Sequence, residues 1–402
     1  MTLAALAPEI VEPAGLANRR AAAAHGIARV KVCTRPDDIA DEWTVLERQA
    51  PASPYQTRAF LLPWLDTIGR ARGMRPLYSV AYSATGQAIG MLPLAVMNRG
   101  PFRLAEFAGG KDANFTFALV RPELRPDSAG LRHWLAETAR QSPERIDLFA
   151  LVNQPESWNG AVNPLRALGG QSSPAHGHRT SLLQDPDAFM KARLSADGRK
   201  KLRAKERNLS KLGAIAHVKA RDATAAGAIL DAFARQKAMR MHGMGINNIF
   251  ADPAVEDFLT RCGNDFGSVG AGGLELHALS LDGRIIAVYG GATHQGRFCG
   301  MFNSIELAPE IARHSPGDQL LSRLIAEKCR EGVSCFDLGV GEARYKNMWC
   351  DAEEPLFDLY VAANPLGWAM GLVKSGKRRL KRRIKQSPDA WRLVERARKA
   401  LR

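Results

Sequence analysis

The sequence lacks any apolar run close to the ~20 residues that a membrane-spanning helix needs. Apolar stretches such as residues 285–292 and 366–373 are short and contain glycine. Its six cysteines form no Cys-x-x-Cys pair, and no histidine lies at metal-ligand spacing from them. These absences argue against a transmembrane protein, a disulfide-rich secreted scaffold and a zinc ribbon. We therefore expect reduced thiols, no metal site and a cytoplasmic protein.

Residues 1–26 also lack the order of a secretory signal. Glu9 and Glu12 come first and Arg19 and Arg20 later, whereas a signal places positive charge ahead of an apolar core. We predict that residues 1–26 form a disordered leader.

Positive charge is concentrated in two segments. The chain of 402 residues carries a net charge of +15. Residues 371–402 hold 13 Lys/Arg against Asp389 and Glu395, and residues 191–211 hold nine against Asp197 and Glu206. Apolar residues alternate with the basic ones in the tail, which is typical of an amphipathic helix on an anionic membrane surface. Nucleic acid is the rival partner, but the sequence has no helix-turn-helix or zinc-finger pattern.

The predicted elements occur in two similar halves. In the first half they are a strand at 28–34, helices at 36–50 and 56–72, strands at 77–83, 88–97, 102–107 and 115–120, a helix at 128–141 and a strand at 146–152. In the second half they are a helix at 198–212, a strand at 214–219, helices at 223–241 and 253–262, strands at 275–281, 285–290 and 297–303, a helix at 317–331, and strands at 335–338 and 356–362. Helices followed by a strand meander and then a helix–strand step predict an α+β fold.

Residues 314–349 combine the features of an anion-binding helix start with a group of ionisable side chains suited to catalysis. Gly317 permits a tight turn into a helix whose first N–H groups lack intrahelical acceptors, and such a helix start binds phosphate. A plain helix start, capped by Ser315 with Pro316 in the first turn, explains the same residues. The buried strand that follows leads to Glu342, Tyr345 and Lys346.

These motifs resemble the GNAT acyltransferases, and in particular their CelD/BcsL-like branch, which is associated with cellulose and exopolysaccharide synthesis. The matching segments are the basic helix at 199–213, the sequence Leu-Asp-Gly-Arg-Ile-Ile-Ala at 281–287, Ser-Pro-Gly at 315–317, and residues 336–346 with Trp349. The resemblance covers residues 187–362. The first half shares only the order of elements, as in the related two-lobe FemAB peptidyltransferases.

The resemblance implies two tandem GNAT-like lobes, each with a mixed, mainly antiparallel twisted sheet flanked by helices. The predicted domains are an N-terminal lobe at 27–183, a C-terminal acyltransferase lobe at 184–365 and a basic helical tail at 366–402. It further implies that acyl-CoA, such as acetyl-CoA, is the co-substrate. Its pyrophosphate would be held by the loop residues His314, Ser315, Gly317 and Asp318.

Acyl transfer needs stabilisation of a developing oxyanion, a proton donor and a general base. We assign the first role to Lys346 and the second to Tyr345, with Glu342 or Asp337 as base. Three of these residues also have a structural interpretation: Asp337 in a local pair, Tyr345 in packing and Lys346 as a solvated charge.

Four further residues are candidates for binding substrate: His242, Asn303, Lys200 and Arg203. His242 ends a long helix, and Asn303 stands where relatives often carry Asp. Too few acids lie near the basic helix to pair its charges, which suggests an anionic partner.

The sequence thus predicts an acyltransferase that acts on an amine or hydroxyl of a sugar or cell-envelope precursor. Two alternatives remain open. One is a peptidyltransferase that uses aminoacyl-tRNA, and the other is a non-catalytic scaffold held at the inner face of a membrane by the tail.

Overall fold

A computed structural model describes residues 26–123 and 126–386, which form two compact units. Within the described residues, the first unit contains 26–61, 69–123, 126–176 and 354–386, and the second contains 62–68 and 177–353. The predicted leader, apart from Gly26, and residues 387–402 of the tail lie outside the described residues.

The elements up to residue 172 are nine strands and three helices. The strands are β1 (Arg29–Cys33), β2 (Arg75–Tyr82), β3 (Ala88–Arg99), β4 (Phe102–Phe107), β5 (Leu119–Val120), β6 (Leu148–Pro155), β7 (Ser157–Trp158), β8 (Ala161–Val162) and β9 (Gln171–Ser172). The helices are α1 (Ala40–Gln49), α2 (Arg58–Trp64) and α3 (Ser128–Gln141).

The elements from residue 177 to residue 386 are eight strands and eight helices. The strands are β10 (Gly177–Ser181), β11 (Ile215–Lys219), β12 (Leu274–Leu281), β13 (Arg284–His294), β14 (Arg297–Ile305), β15 (Cys335–Val340), β16 (Ala352–Glu354) and β17 (Leu356–Ala362). The helices are α4 (Pro186–Arg193), α5 (Ala196–Leu209), α6 (Ala223–Gly243), α7 (Pro253–Gly263), α8 (Pro309–Ala312), α9 (Pro316–Arg330), α10 (Arg344–Trp349) and α11 (Pro365–Gln386).

The main sheet of the first unit has the order β1-β2-β3-β4-β6-β17-β9, and β5 also pairs with β3. Neighbours are antiparallel except β4 and β6, which pair in parallel at Leu104–Leu148 and Ala105–Phe149. Helix α3 makes the crossover between these two strands, as a parallel connection requires.

The sheet of the second unit repeats this arrangement with the order β11-β12-β13-β14-β15-β10-β16. Its parallel pair is β14 with β15, and α9 makes the crossover. The hairpin of β12 and β13 turns at Asp282 and Gly283, whose φ values of 47° and 80° are those of the two-residue turn that matches strand twist. The predicted fold class, α+β with two tandem lobes of mixed, mainly antiparallel sheet, is confirmed.

One strand is predicted at the right residues but in the wrong half. The sequence places the closing strand at residues 356–362 in the second half, and β17 occupies those residues but pairs with β6 in the first sheet. The strand beside β15 is instead β10, from the segment between the halves. Each sheet therefore receives its strand beyond the parallel pair from outside its own half of the sequence, which no local pattern reveals.

Helix α9 is amphipathic, and its apolar face forms much of the second unit's core. Pro316 occupies its first turn, and Gly332, at φ 75°, follows its end. Its buried apolar side chains recur at three- and four-residue spacing: Leu320, Leu321, Leu324, Ile325 and Cys329. They pack in one cluster with Phe298, Phe336 and Trp349. This packing fixes α9 between the strands that it connects.

Charged side chains of helix α11 contact other residues of the first unit. Arg378 pairs with the buried Asp358 and donates to the side chain of Asn153, 2.7 Å away. Lys374 lies 3.1 Å from Glu106. Within residues 26–123 and 126–386, no helix combines the length and apolar character needed to cross a membrane.

Candidate active site

The parallel strands β14 and β15 pair only at their beginnings. The pairing runs from Arg297 with Cys335 to Cys299 with Asp337. Beyond that point, among the described residues, β14 pairs only with β13, and β15 pairs only with β10. The carboxyl-terminal halves of the two strands are therefore not hydrogen-bonded to each other, and we call the space between them the cleft. Because α9 returns the chain from the end of β14 to the start of β15, its N-terminus lies at the open end of this cleft.

The start of α9 has an unusual backbone. Ser315 adopts the left-handed conformation at φ 52°, which is uncommon for a residue other than glycine. Its side chain does not cap the helix, so the plain capping interpretation is wrong. Instead its hydroxyl accepts a hydrogen bond from the ammonium of Lys205 on α5, at 2.7 Å. A Cβ atom on Gly317 would lie 3.0 Å from Ile305, so a larger residue there would crowd the helix start.

The start of α9 also has ionisable groups of both signs. Asp318 is partly buried, and burial raises the pKa of its carboxyl while Lys205 opposes this shift. His314 is buried, and burial together with Arg313 and Lys205 lowers the pKa of its imidazole. The imidazole is therefore neutral at physiological pH, and Lys205 is the cation in direct contact with the Ser315 hydroxyl.

Helix α5 turns one face towards α9 and leaves most of its basic residues in solvent. Leu202, Lys205 and Leu209 share the inner face at helical spacing, and Gln319 of α9 donates to the carbonyl of Leu202 at 3.0 Å. Lys200 and Arg203 are exposed. The structure therefore brings Lys205, which the sequence analysis did not select, to the helix start. Its spacing from Leu202 and Leu209 was the available signal.

The loop after β15 is held by Asp337 and Lys346. One Asp337 oxygen accepts from the backbone N–H of Gly339 at 2.6 Å, and the other pairs with the buried Arg297 on β14. The Lys346 ammonium donates to the carbonyls of Gly339, at 2.9 Å, and Val340, at 3.2 Å. Both carboxylate oxygens of Asp337 are engaged, so this geometry does not support a general-base role for it.

Lys346 is buried, not a solvated surface charge. Burial lowers the pKa of its ammonium, and Asp337 opposes the shift. Two of its three N–H groups are used by the loop carbonyls. Lys346 thus holds the end of β15, from which the chain leads into α10, the helix that carries Tyr345.

Tyr345 on α10 reaches across to β14. The amide of Asn303 lies 3.4 Å from the phenol oxygen. Burial raises the pKa of this phenol, so it stays protonated and able to donate a proton. Of the residues selected from the sequence, Asn303 and Tyr345 are therefore brought together at the cleft.

Lys237 on α6 is a residue that sequence analysis missed. Its ammonium lies 5.1 Å from the ring centre of Phe250 and 5.7 Å from that of Phe233. The Phe233 ring in turn packs on Phe302 of β14, with centroids 4.6 Å apart. Burial, with a contribution from Arg240, lowers the pKa of Lys237 to about 8. A lysine with this pKa can act as a base near neutral pH.

Two other candidates lie at exposed positions. His242 is exposed at the end of α6. Glu342 is exposed, with one oxygen 3.4 Å from Nε2 of the buried His178 on β10. The pairing of β10 with β15 creates this contact, which the sequence did not predict.

Comparisons with known proteins agree with this geometry. Residues 196–347 match the family described as Acetyltransferase (GNAT) domain. No curated protein matches the chain significantly. Among solved structures, the chain is similar to FemX, with a TM-score of 0.60 and 10% identity over 85% of this chain and 100% of that one.

Two further solved structures share the fold. A conserved protein of unknown function from Bacteroides thetaiotaomicron has a TM-score of 0.52 and 11% identity, over 82% of this chain and 100% of that one. The C-terminal domain of a proposed lysylphosphatidylglycerol synthetase from Agrobacterium fabrum has a TM-score of 0.50 and 12% identity, over 85% of this chain and 96% of that one. The matched residues 196–347 lie in the second unit, and they include β14 and β15, which flank the cleft.

Proposed function

We propose that the protein transfers an acyl group from acyl-CoA, such as acetyl-CoA, to an amine or hydroxyl of a sugar or cell-envelope precursor. The observation that carries this proposal is the cleft between β14 and β15, with the α9 start and Lys205 at its open end. A helix N-terminus beside a cation suits the pyrophosphate of CoA. The sequence resemblance to the CelD/BcsL-like branch favours an exopolysaccharide precursor as acceptor.

In this proposal the donor lies along the cleft with its pyrophosphate at Gly317 and Lys205. The neutral amine of Lys237 removes a proton from the acceptor, which attacks the thioester carbonyl. The tetrahedral intermediate then collapses, the C–S bond breaks, and Tyr345 gives its proton to the leaving thiolate. Solvent then takes the extra proton from Lys237 and returns a proton to the phenolate. Lys346 holds the loop that positions Tyr345, and its third N–H is available to the oxyanion.

Direct attack is preferred over a covalent cysteine intermediate. The thiol nearest in sequence to Tyr345 is Cys350, and burial raises its pKa to about 12. A thiol with that pKa holds almost no thiolate at neutral pH, and the thiolate is the nucleophilic form.

A coupled assay tests the proposal. The full chain is incubated with acetyl-CoA and a panel of sugar nucleotides and amino sugars, and the released CoA thiol is measured. We expect release that depends on an acceptor and is lost in Tyr345→Phe. Absence of acceptor-dependent release with every acyl-CoA tried would refute an acyl-CoA transferase and support the scaffold alternative.

An aminoacyl-tRNA donor is the second candidate. The carboxylate of Asp318 beside the helix start repels a pyrophosphate, while Lys200, Arg203 and Arg207 offer an exposed basic surface on α5. This donor would be favoured if the affinity for tRNA falls by about one logarithmic unit per contacted phosphate for each tenfold rise in salt concentration.

We further propose that α11 contacts an anionic membrane surface. Leu366, Val373 and Leu380 are exposed by 49%, 52% and 60% and recur every seven residues, so they share one helix face. The same helix carries many Lys and Arg residues, which suits a peripheral site at the inner membrane face.

A further inference from the structure

A cluster of ionisable side chains lies between strands β11 and β12 and helix α9, apart from the cleft residues described above. In the strand register, His217 pairs with Leu279 and Lys219 pairs with His277. His217, Lys219, Glu275 and His277 therefore share one face of the two strands. Helix α9 adds Glu327, Lys328 and Glu331 to the same cluster.

One nitrogen of each histidine ring faces a nitrogen of the other ring. Nε2 of His217 lies 3.2 Å from Nδ1 of His277. Glu327 contributes a carboxylate oxygen, and one ligand atom from each of these three residues lies within 4.8 Å of the others. Two zinc–nitrogen bonds of about 2.0–2.1 Å that span the observed separation would enclose an angle of roughly 100°, close to tetrahedral.

The outer nitrogens of both rings face carboxylates. Nδ1 of His217 lies 3.5 Å from Glu327, and Nε2 of His277 lies 3.8 Å from Glu275. Glu275 beside Nε2 of His277 favours the proton there, which leaves Nδ1 of that ring as an acceptor or a metal ligand. One of the two facing nitrogens donates a hydrogen bond to the other, and a metal ion would take the place of that proton. Nε2 of His277 is fully buried, and Glu275 at 3.8 Å is too far to form a hydrogen bond with it.

The rings are neutral at physiological pH, as metal ligands must be. Burial lowers the pKa of His217 to about 4, with further lowering by His277, Arg323 and Lys219 against an opposite effect of Glu327. Burial also lowers the pKa of His277.

The charged side chains around the two imidazoles have a net negative charge. Three carboxylates, Glu275, Glu327 and Glu331, face two ammonium groups, Lys219 and Lys328. Arg323 is paired with Glu206. Lys219 lies 3.1 Å from one oxygen of Glu327, while the other oxygen faces His217. A dication at the imidazoles would therefore meet a cluster of net negative charge.

We propose that His217, His277 and Glu327 bind a late first-row divalent metal ion, Zn²⁺ above all. Two imidazoles with one carboxylate select such ions over Mg²⁺ and Ca²⁺, which prefer oxygen ligands. The bound ion links β11 and β12 to the C-terminal half of α9. No sequence motif joins the three residues, because strand pairing and a helix bring them together over 110 positions.

The test is calorimetric titration of the chelator-dialysed full chain with ZnCl₂. We expect one ion per chain and a higher melting temperature in its presence. His217→Gln and Glu327→Gln should each weaken the affinity by about tenfold or more. His133→Gln, a histidine on α3, is the matched control and should change the affinity less than about twofold. Melting curves in EDTA establish that each variant is folded.

A cobalt spectrum decides between the proposed site and the cysteines. Co²⁺ bound at the proposed site should show visible bands without a thiolate charge-transfer band near the ultraviolet. No binding, equal affinity in His217→Gln, or a thiolate band in the cobalt spectrum would overturn the proposal.

Discussion

The ammonium of Lys205 donates a 2.7 Å hydrogen bond to the hydroxyl of Ser315, the left-handed residue that precedes α9. This contact joins the basic helix α5 to the helix start at the mouth of the cleft. It places a positive charge beside the positive end of the α9 dipole, a combination that suits a phosphate.

Lys205→Met should weaken binding of the acyl donor, because it removes the cation in contact with Ser315. A hydrogen bond to a charged group contributes about 1.5–3 kcal/mol, so we expect KM for acetyl-CoA to rise by about tenfold or more. Lys201→Met is the matched control, since Lys201 lies on the same helix, is exposed and pairs with Asp197 at 2.7 Å. Equal effects of the two substitutions would show that Lys205 acts only through the general charge of α5.

Tyr345→Phe should lower kcat by roughly 10²–10⁴-fold, the range for loss of a positioned proton donor. The melting temperature should change little, because the phenol's hydrogen bond to Asn303 is long at 3.4 Å. Steady-state kinetics and a melting curve on the same sample separate the two effects. A variant with full kcat would remove Tyr345 from the chemistry.

Lys346→Met should destabilise the second unit. It leaves the carbonyls of Gly339 and Val340 without their donor, at a cost of about 1–3 kcal/mol. Asp337→Asn should cost more, about 3–5 kcal/mol, because it removes the carboxylate that pairs with the buried Arg297. Thermal melting measures both, with Lys201→Met as the surface control. An unchanged melting temperature in Lys346→Met would contradict the loop-holding role.

The rate should rise with pH through about 8, because Lys237 acts as a base only when neutral and burial lowers its pKa to about that value. Below this pH the ammonium form of Lys237 dominates, and the rate falls as the proton concentration rises. Lys237→Met should lower kcat/KM and abolish this ascending limb, which a profile from pH 6 to pH 9.5 would show. The same limb in the variant would assign it to another group, with Glu342 and His178 next to be tested.

Val373→Glu combined with Leu380→Glu should reduce binding to vesicles that contain phosphatidylserine, because both changes put charge on the exposed face of α11. Val162→Glu is a suitable control, since Val162 is an apolar residue exposed by 74% on β8. Co-sedimentation measures the bound fraction. Equal binding of wild type and double variant would refute a membrane role for this face.

Local patterns predicted most of the fold. Helix α3 occupies the predicted residues, and Asp282-Gly283 forms the predicted turn. The exchange of β10 and β17 between the sheets could not be predicted, because strand partners are chosen by tertiary packing and not by the strand's own sequence.

The site was predicted less completely than the fold. The sequence located the α9 start and Tyr345, since both belong to one continuous motif. It did not select Lys205 or Lys237, which come from separate helices and contact the α9 start and Phe250 respectively. It assigned chemistry to Asp337, whose buried partner Arg297 lies 40 positions away in the sequence.

Calorimetric titration of the full chain with acetyl-CoA is the most direct test of an anion site at Gly317. The account predicts one binding site per chain in wild type, weakened about tenfold or more in Lys205→Met and nearly unchanged in Lys201→Met. Absence of binding in wild type, or binding that Lys205→Met leaves unchanged, would contradict it.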